Sequence, residues 1–257
     1  MVDDLKKITE TIMRRADTGD ELGLLYGKMG LVVYFFHYAR FTGNQTYEDF
    51  AMALMDSLQE QLYKCSTIDY GYGLAGIGTG IEYLVQNGFV EADTNEALED
   101  FDVKIADMTA LSDRTDGSLL TGISGIGRYF LFRIAGTNAH DVHIRTINCK
   151  MELIHITDTL EQMYPVLKKQ DVDDALLFLY AMEQTNLYPE KTKRLIGLFS
   201  SEGIAGLASN YGRGAPLCAP NAGRARNDDG LMGGLAGIGL HLMSQLDKRH
   251  ETWMKLL

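Results

Sequence analysis

The chain has 257 residues, of which 46% are hydrophobic, and a formal net charge of −11; this length and hydrophobic fraction can bury a full core in one domain, residues 1–257. The negative charge argues against a nucleic-acid partner, because phosphates need a basic surface. No apolar run reaches the roughly 18 residues of a membrane helix, and the charged N-terminus predicts no signal peptide. The 3 cysteines lack metal or redox spacing, which is typical of a reducing compartment. We therefore expect a cytoplasmic protein with no membrane contact.

Apolar residues recur at helical spacing along most of the chain, and glycine-rich turns separate the periodic stretches. Some stretches carry a single apolar stripe, such as Phe50, Leu54 and Leu58, which is typical of a helix that covers another element. Others are apolar on every side, which is typical of a buried helix. In chain order, the predicted helices cover approximately residues 3–16, 47–64, 95–110, 144–164, 171–187 and 190–199. Between them, four units of a turn followed by an apolar helix are predicted over approximately residues 21–40, 69–88, 116–136 and 228–246.

A short glycine motif opens several of the apolar helices. The sequence Gly-Leu-Ala-Gly-Ile-Gly begins at Gly73 and again at Gly234, and a close copy begins at Gly122. Looser copies begin at Gly27 and Gly203. The first three copies along the chain recur at intervals of about 50 residues, which is the length of two helices and two loops. The motif therefore indicates a repeated helical hairpin.

The glycines have a structural explanation. Glycine in a helix interior costs about 1 kcal/mol relative to alanine, so three at the start of a helix must permit something that a side chain would prevent. Their spacing leaves a bare strip against which a neighbouring helix or loop can pack, and glycine also permits a tight turn. A dinucleotide-binding loop is not predicted, because that fingerprint occurs in one copy after a strand.

The repeats predict an all-α fold. Residues 171–187 hold the position of a further inner helix, although this helix has lost the glycines. Counting it gives about five hairpins of an inner and an outer helix. This pattern favours an α/α toroid, which is a barrel of helical hairpins, and an open solenoid is the alternative.

The residues just before each inner helix, here called the lead-ins, are candidates for a binding cleft. In a barrel of hairpins they gather at one end, where helix N-termini carry partial positive charge. The lead-in acids also fit a simpler interpretation as helix N-caps, although the adjacent Asp228 and Asp229 can bind a cation or share a proton. The candidate cleft residues are Tyr26, Asp69, Tyr70, Ser118 and Arg213, and the candidate catalytic residues are Asp116, Asp228, Asp229, His241 and Cys218.

Histidine patterns give only weak metal signals. His241 occupies the position in its repeat that Tyr34 and Tyr129 occupy in theirs, which favours a packed ring over a metal ligand. His140 and His143 have the spacing of paired ligands on a helix, but they lie in a predicted loop.

The longest irregular stretch covers residues 211–227 and contains Cys218 and three arginines. Irregular segments of this length in compact domains are usually functional or disordered. We weigh two interpretations equally: a segment that meets an acidic peptide or covers the cleft, and a surface loop.

The repeated glycine motif resembles that of the lanthionine synthetase C-like family. The segment from Asp229 to Gly237 is similar to the terminal repeat of that family, and residues 76–88 are similar to short members from Bacteroidetes. The resemblance implies an α/α toroid. In the classical members it also implies a zinc enzyme that adds a cysteine thiol of a precursor peptide to a dehydrated residue, forming a thioether.

The zinc ligands of that family have no counterpart in this sequence. The family holds zinc with a cysteine in a Trp-Cys-x-Gly segment and with an adjacent Cys-His pair. Here the single tryptophan is Trp253, near the C-terminus, and no cysteine adjoins a histidine. Cys218, His241 and Cys65 do not assemble into a recognisable three-ligand site. We therefore predict no metal and no cofactor.

Three functions remain open at this point. The first is a zinc-free relative that binds a peptide or assists its modification, with a precursor peptide or a peptide-modifying enzyme as its partner. The second is a thioether cyclase with a non-standard site built from Cys218, His241 and Asp228. The third is a carbohydrate-active α/α barrel that uses paired carboxylates such as Asp116 and Asp228.

Overall fold

The computed structural model describes residues 1–16, 19–111, 116–136, 143–200 and 229–257. Within these ranges every regular element is a helix, so the predicted all-α class is confirmed. Short 3-10 segments cover Leu62–Lys64, Tyr164–Val166 and Lys248–Leu256. The α-helices are α1 (Val2–Arg15), α2 (Lys28–Thr42), α3 (Gln45–Gln61), α4 (Leu74–Gln86), α5 (Thr94–Ala97), α6 (Glu99–Leu111), α7 (Ile123–Ala135), α8 (Ile144–Met163), α9 (Lys169–Gln184), α10 (Pro189–Ser200) and α11 (Leu235–Leu246).

Local capping explains where several helices begin and end. Gly43 ends α2 in the left-handed region, with φ of 66°, and the Asn44 side chain then caps α3 by accepting a bond from the Thr46 amide. The helix predicted over residues 95–110 is divided into α5 and α6. Asp93 caps α5, and that helix stops after one turn.

The helices form two compact units. The first unit contains α1, α2, α3 and α11 together with the C-terminal 3-10 segment. In this unit α2 forms a hairpin with α3 and also packs on α11, and α1 packs on α11. Every residue of α2 from Lys28 to Ala39 is buried, as its largely apolar sequence predicts.

The second unit contains α4 to α10. Within it, α4 packs on α6 and α7, α7 packs on α8 and α9, and α9 packs on α10. Helix α9 therefore stands beside the glycine-motif helix α7. This arrangement confirms the position predicted for residues 171–187. Paired helices of this kind are the building blocks of an α/α toroid, whose closure and single-domain character stay predictions.

No helix in the described part of the chain is long and apolar enough to cross a membrane. The C-terminal segment with Trp253 is not a loose tail. Trp253 is buried in the first unit, and its indole N–H donates to the Ser244 hydroxyl at 2.9 Å.

Candidate functional site

The four glycine motifs within the described residues each begin with a glycine N-cap in the same extended conformation. The N-cap glycines of α2, α4, α7 and α11 have φ between −139° and −98° and ψ between −178° and −164°. No side chain caps these four helices. Instead, carbonyl groups of the lead-ins accept bonds from first-turn amides: Lys28 donates to Glu21, Gly76 to Asp69, Ile123 to Asp116 and Ala236 to Asp229. These amides are therefore engaged within the protein and are not presented to a ligand.

The second glycine of the motif makes room for the lead-in of its own repeat. A Cβ at Gly30, Gly125 or Gly237 would lie less than 3.0 Å from a lead-in carbonyl oxygen, which belongs to Leu24, Leu119 or Leu231 in that order. The lead-in thus folds back over the first turn of its helix. This contact explains why the sequence keeps glycine at these positions despite its cost in a helix.

Neighbouring lead-ins lie side by side in both units. The Gly71 amide donates to the Leu120 carbonyl at 2.9 Å in the second unit, and the Met232 amide donates to the Leu25 carbonyl at 3.0 Å in the first. All four residues stand two positions before their N-cap glycine. The same backbone bond therefore joins the repeats of α4 and α7 and the repeats of α11 and α2, and it aligns their lead-ins at one end of each helix pair.

The third glycine of the motif packs against an aromatic ring of the neighbouring helix. A Cβ at Gly78 would meet the Tyr129 ring, and a Cβ at Gly239 would meet the Tyr34 ring. In the same way, Gly127 faces Phe178 of α9. Helix α9 has lost its glycines but keeps the ring that fits the preceding repeat.

Asp69 and Asp116 both cap their lead-ins. Oδ1 of Asp69 accepts bonds from the amides of Tyr72 and Gly73 at 2.7 and 3.1 Å. Asp116 accepts from the Ser118 amide at 2.9 Å and from the Thr121 hydroxyl at 2.6 Å. Burial alone would raise the pKa of Asp116, but these hydrogen bonds outweigh it and lower the pKa. Neither acid is the N-cap of its helix, because the N-caps are Gly73 and Gly122. The N-cap prediction for Asp69 and Asp116 is therefore wrong, and both carboxylates accept bonds within the lead-in turn.

The two tyrosines of the second lead-in face different environments. Tyr70 is fully buried, and its hydroxyl lies close enough to Arg128 and Thr79 for hydrogen bonding; burial raises its pKa. Tyr72, in contrast, exposes 38% of its surface. The other predicted cleft residues of the described chain, Tyr26 and Ser118, are partly exposed.

In the first unit the candidates have separate partners. The Asp229 carboxylate forms an ion pair with Arg15 at 3.4 Å. This ion pair joins α1 to the last lead-in. His241 is partly exposed, and its Nε2 lies 3.0 Å from the side-chain nitrogen of Gln245. Cys218, Asp228, Arg213 and His140 lie outside the described residues, so the predictions for them stay predictions.

Sequence reasoning did not single out a buried ion cluster in the second unit. Arg133 donates to Glu82 at 2.7 Å and to Asp102 at 2.8 Å, and the side chains of Arg133 and Glu82 expose only 2% and 1% of their surfaces. The Tyr129 hydroxyl also donates to Asp102, and burial followed by this carboxylate raises its pKa. The cluster ties α4, α6 and α7 together. The signal in the sequence was a charged residue within each of two apolar helices, Glu82 in α4 and Arg133 in the last turn of α7.

The described residues do not fit the zinc site of two cysteines and one histidine. Among them, no group of three or more histidine, cysteine or acidic side chains is arranged to hold a metal ion. The Cys65 thiol is directed to the Thr67 carbonyl. The pKa of Cys149 is raised to about 12 by burial and by the Asp102 carboxylate, whereas a zinc ligand must be a thiolate.

Two comparisons bear on this arrangement. A family model described as lanthionine synthetase C-like protein matches residues 19–177, which include the first three glycine motifs, their lead-ins and most of α9. A search of curated proteins found no match.

Proposed function

Because the chain belongs to the lanthionine synthetase C-like family, we propose that it binds a peptide at its lead-ins and assists modification of that peptide without zinc-dependent thioether formation. The observation that carries this proposal is the backbone bond between adjacent lead-ins. It aligns two lead-ins in each unit, so that each pair offers one continuous surface of loops rather than isolated turns.

The surface of the second unit has the chemistry of a peptide site. Asp116 and Thr121 are exposed on one lead-in, and Tyr72 is exposed on the other. A carboxylate and a hydroxyl can exchange hydrogen bonds with an extended backbone, and an amphipathic tyrosine ring packs against a side chain at low entropic cost. Since the amides of Ala75, Gly76 and Ile123 in the first turns of these helices are already bonded to the lead-ins, we expect side chains to make most of the contacts.

The zinc-free part of the proposal rests on ligand chemistry. Thioether formation on zinc needs a thiolate held beside an open coordination position. The described cysteines are buried and have other surroundings. Zinc, if present, would require Cys218 together with ligands that no sequence motif identifies.

The first test measures both parts of the proposal on the full chain. Zinc content is determined by elemental analysis of wild type and of Cys218→Ala, and we expect no stoichiometric zinc in either. One zinc per chain that disappears in Cys218→Ala would instead support the thioether cyclase.

Peptide binding is measured by fluorescence anisotropy with a panel of fluorescein-labelled synthetic peptides 12 residues long. For any peptide bound by wild type, we expect Tyr72→Ser to weaken binding severalfold, because interface tyrosines contribute disproportionately to affinity. Tyr63→Ser is the matched control, since Tyr63 exposes 82% of its surface and lies in the 3-10 segment after α3, outside the lead-ins. Equal losses in both variants would contradict a lead-in site.

A further inference from the structure

Lys28 is a buried cation at the start of α2. It follows the N-cap Gly27 directly, and its backbone amide donates to the Glu21 carbonyl of the first lead-in. The residue exposes only 5% of its surface. Lysine is almost never buried unless its charge is paired, so the groups around this ammonium show whether the protein itself supplies the partner.

The ammonium of Lys28 meets a hydroxyl of α3 and no carboxylate. Its Nζ donates to the Ser57 hydroxyl at 2.9 Å. In the described part of the chain, no acidic side chain forms an ion pair with Lys28. Asp56 and Glu60, which flank Ser57 in the sequence, are exposed. An ammonium has three donors, so the positive charge and two N–H groups of Lys28 have no side-chain acceptor among the described residues.

The hydroxyl of Ser57 is also in the position of a donor. Its oxygen accepts from Lys28 and, at 3.0 Å, from the side-chain nitrogen of Gln61. Because an ammonium and an amide nitrogen only donate, these two bonds use both acceptor sites of the oxygen and leave its own proton for a further acceptor. Lys64 Nζ lies 3.5 Å from the Gln61 carbonyl oxygen, which keeps the amide nitrogen turned toward Ser57.

Lys28, Ser57, Gln61 and Lys64, here called the Lys28 cluster, form a chain of donors that reaches the surface. Ser57 and Gln61 are partly exposed, so a molecule from outside can approach the buried ammonium. Both belong to the last turns of α3, which lie beside the start of α2 and therefore at the lead-in end of this hairpin. A buried positive charge surrounded by donors is complementary to an anion.

We propose that the Lys28 cluster binds a carboxylate of a peptide. This inference rests on the peptide-binding function proposed above and specifies a chemical group that the peptide carries. One buried ammonium balances the single charge of a carboxylate, whose two oxygens can accept from the Lys28 ammonium and from the Ser57 hydroxyl. A phosphate group carries up to two charges and would leave one of them without a buried partner. The carboxylate comes from an acidic side chain or from a peptide carboxyl terminus.

Two pairs of synthetic pentapeptides separate these sources. The first pair is acetyl-Gly-Gly-Glu-Gly-Gly-amide and the same peptide with glutamine in place of glutamate. The second pair is acetyl-pentaglycine with a free carboxyl terminus and acetyl-pentaglycine amide. Inorganic phosphate is the remaining ligand. Affinity for the full chain is measured by isothermal titration calorimetry, and the position of binding is followed by the ¹⁵Nζ resonances of lysine-labelled protein, among which the Lys28 signal is the one that Lys28→Met removes.

We expect the Lys28 signal to shift with the glutamate peptide, or with free-acid pentaglycine if the carboxyl terminus is the ligand. The uncharged member of that pair should bind at least about tenfold more weakly, because losing one partner of a buried charge pair is costly. Lys28→Met should cause a similar loss of affinity, and Ser57→Ala should cause a smaller one. Lys6→Met is the matched control, since Lys6 is exposed on α1 in the same unit, and we expect no change from it.

Three outcomes would overturn the inference. They are equal or absent binding of the charged and uncharged peptides in both pairs, tighter binding of phosphate than of either charged peptide, and unchanged affinity in Lys28→Met. The peptide comparison uses wild type alone, so it stands even if a variant folds poorly. Binding of peptides from the 12-residue panel without a shift of the Lys28 signal by either charged pentapeptide would reject this site while leaving the proposed function in place.

Discussion

Two histidines distant in sequence form a buried pair in the first unit. Nδ1 of His37 lies 2.9 Å from Nδ1 of His250, so one imidazole donates and the other accepts. The pKa of His37 is lowered to about 3 by burial and by the neighbouring charges of His250 and Arg40. The pKa of His250 is also lowered, chiefly by burial.

The lowered pKa makes the stability of the protein depend on pH. Histidine in an unfolded chain has a pKa near 6.5. Below that pH the unfolded state therefore binds a proton that His37 in the folded state does not bind. The stabilisation is therefore complete above about pH 6.5, and the free energy of unfolding falls by up to about 1.4 kcal/mol per pH unit as pH drops toward 3. Urea unfolding followed by Trp253 fluorescence at pH 7 and pH 5 measures this loss.

His37→Asn isolates the effect from that of the many carboxylates. Between pH 7 and pH 5, we expect wild type to lose roughly 1–2 kcal/mol more than this variant, because the variant lacks the titrating ring. His155→Asn serves as a control, since His155 is exposed on α8. If wild type and His37→Asn lose the same free energy of unfolding between pH 7 and pH 5, His37 in the folded protein binds a proton readily.

At the level of the element, the inner helices depend on contacts that only glycine allows. The lead-in carbonyl lies over the second glycine, and a ring of the neighbouring helix lies over the third. The helix and its lead-in are consequently one structural piece. A side chain added at either glycine must displace backbone or a buried ring. At a helix glycine without such a neighbour, an added side chain only reduces backbone flexibility.

Two glycine-to-alanine substitutions in the second unit should act in opposite directions. Gly125→Ala should lower the free energy of unfolding by about 2 kcal/mol or more, because its Cβ would overlap the Leu119 carbonyl. Gly197→Ala should raise it by about 0.5–1 kcal/mol, because Gly197 is exposed in α10 with nothing within 4 Å of the new Cβ. Urea midpoints compare the two. An unchanged urea midpoint for Gly125→Ala would show that the lead-in moves away from the new methyl group without loss of stability.

At the scale of the whole molecule, the first and last repeats fold together. Helix α11 packs on α1 and α2, and the C-terminal 3-10 segment packs on α11 and α2. Trp253 and His250 are buried at this junction. The helices of the second unit are joined among themselves by other contacts, including the cluster around Arg133.

Trp253→Ala should therefore loosen helices near both ends of the sequence. We expect a loss of about 3–5 kcal/mol, the usual cost of removing a buried tryptophan side chain. Native-state hydrogen exchange should show reduced protection in α2 and α11, with α4 and α7 retaining theirs. Uniform loss of protection across all four helices would show that the two units unfold as one.

The sequence by itself determined the class of the fold and its repeat. Glycine spacing and apolar periodicity are local properties, and they identified the inner helices, the hairpin interval and even the degenerate helix α9. The same signals did not show that Gly73 and Gly122, rather than Asp69 and Asp116, are the helix N-caps. The family also followed from these motifs, because the residues that carry the resemblance are those that the backbone requires.

The tertiary structure alone decided which distant residues meet. Gly239 receives Tyr34, and His37 pairs with His250, across more than 200 residues of chain. The sequence also placed Tyr70 in the cleft, whereas folding buries its ring and exposes Tyr72. Burial and pairing depend on how separate helices pack, and no local pattern encodes that packing.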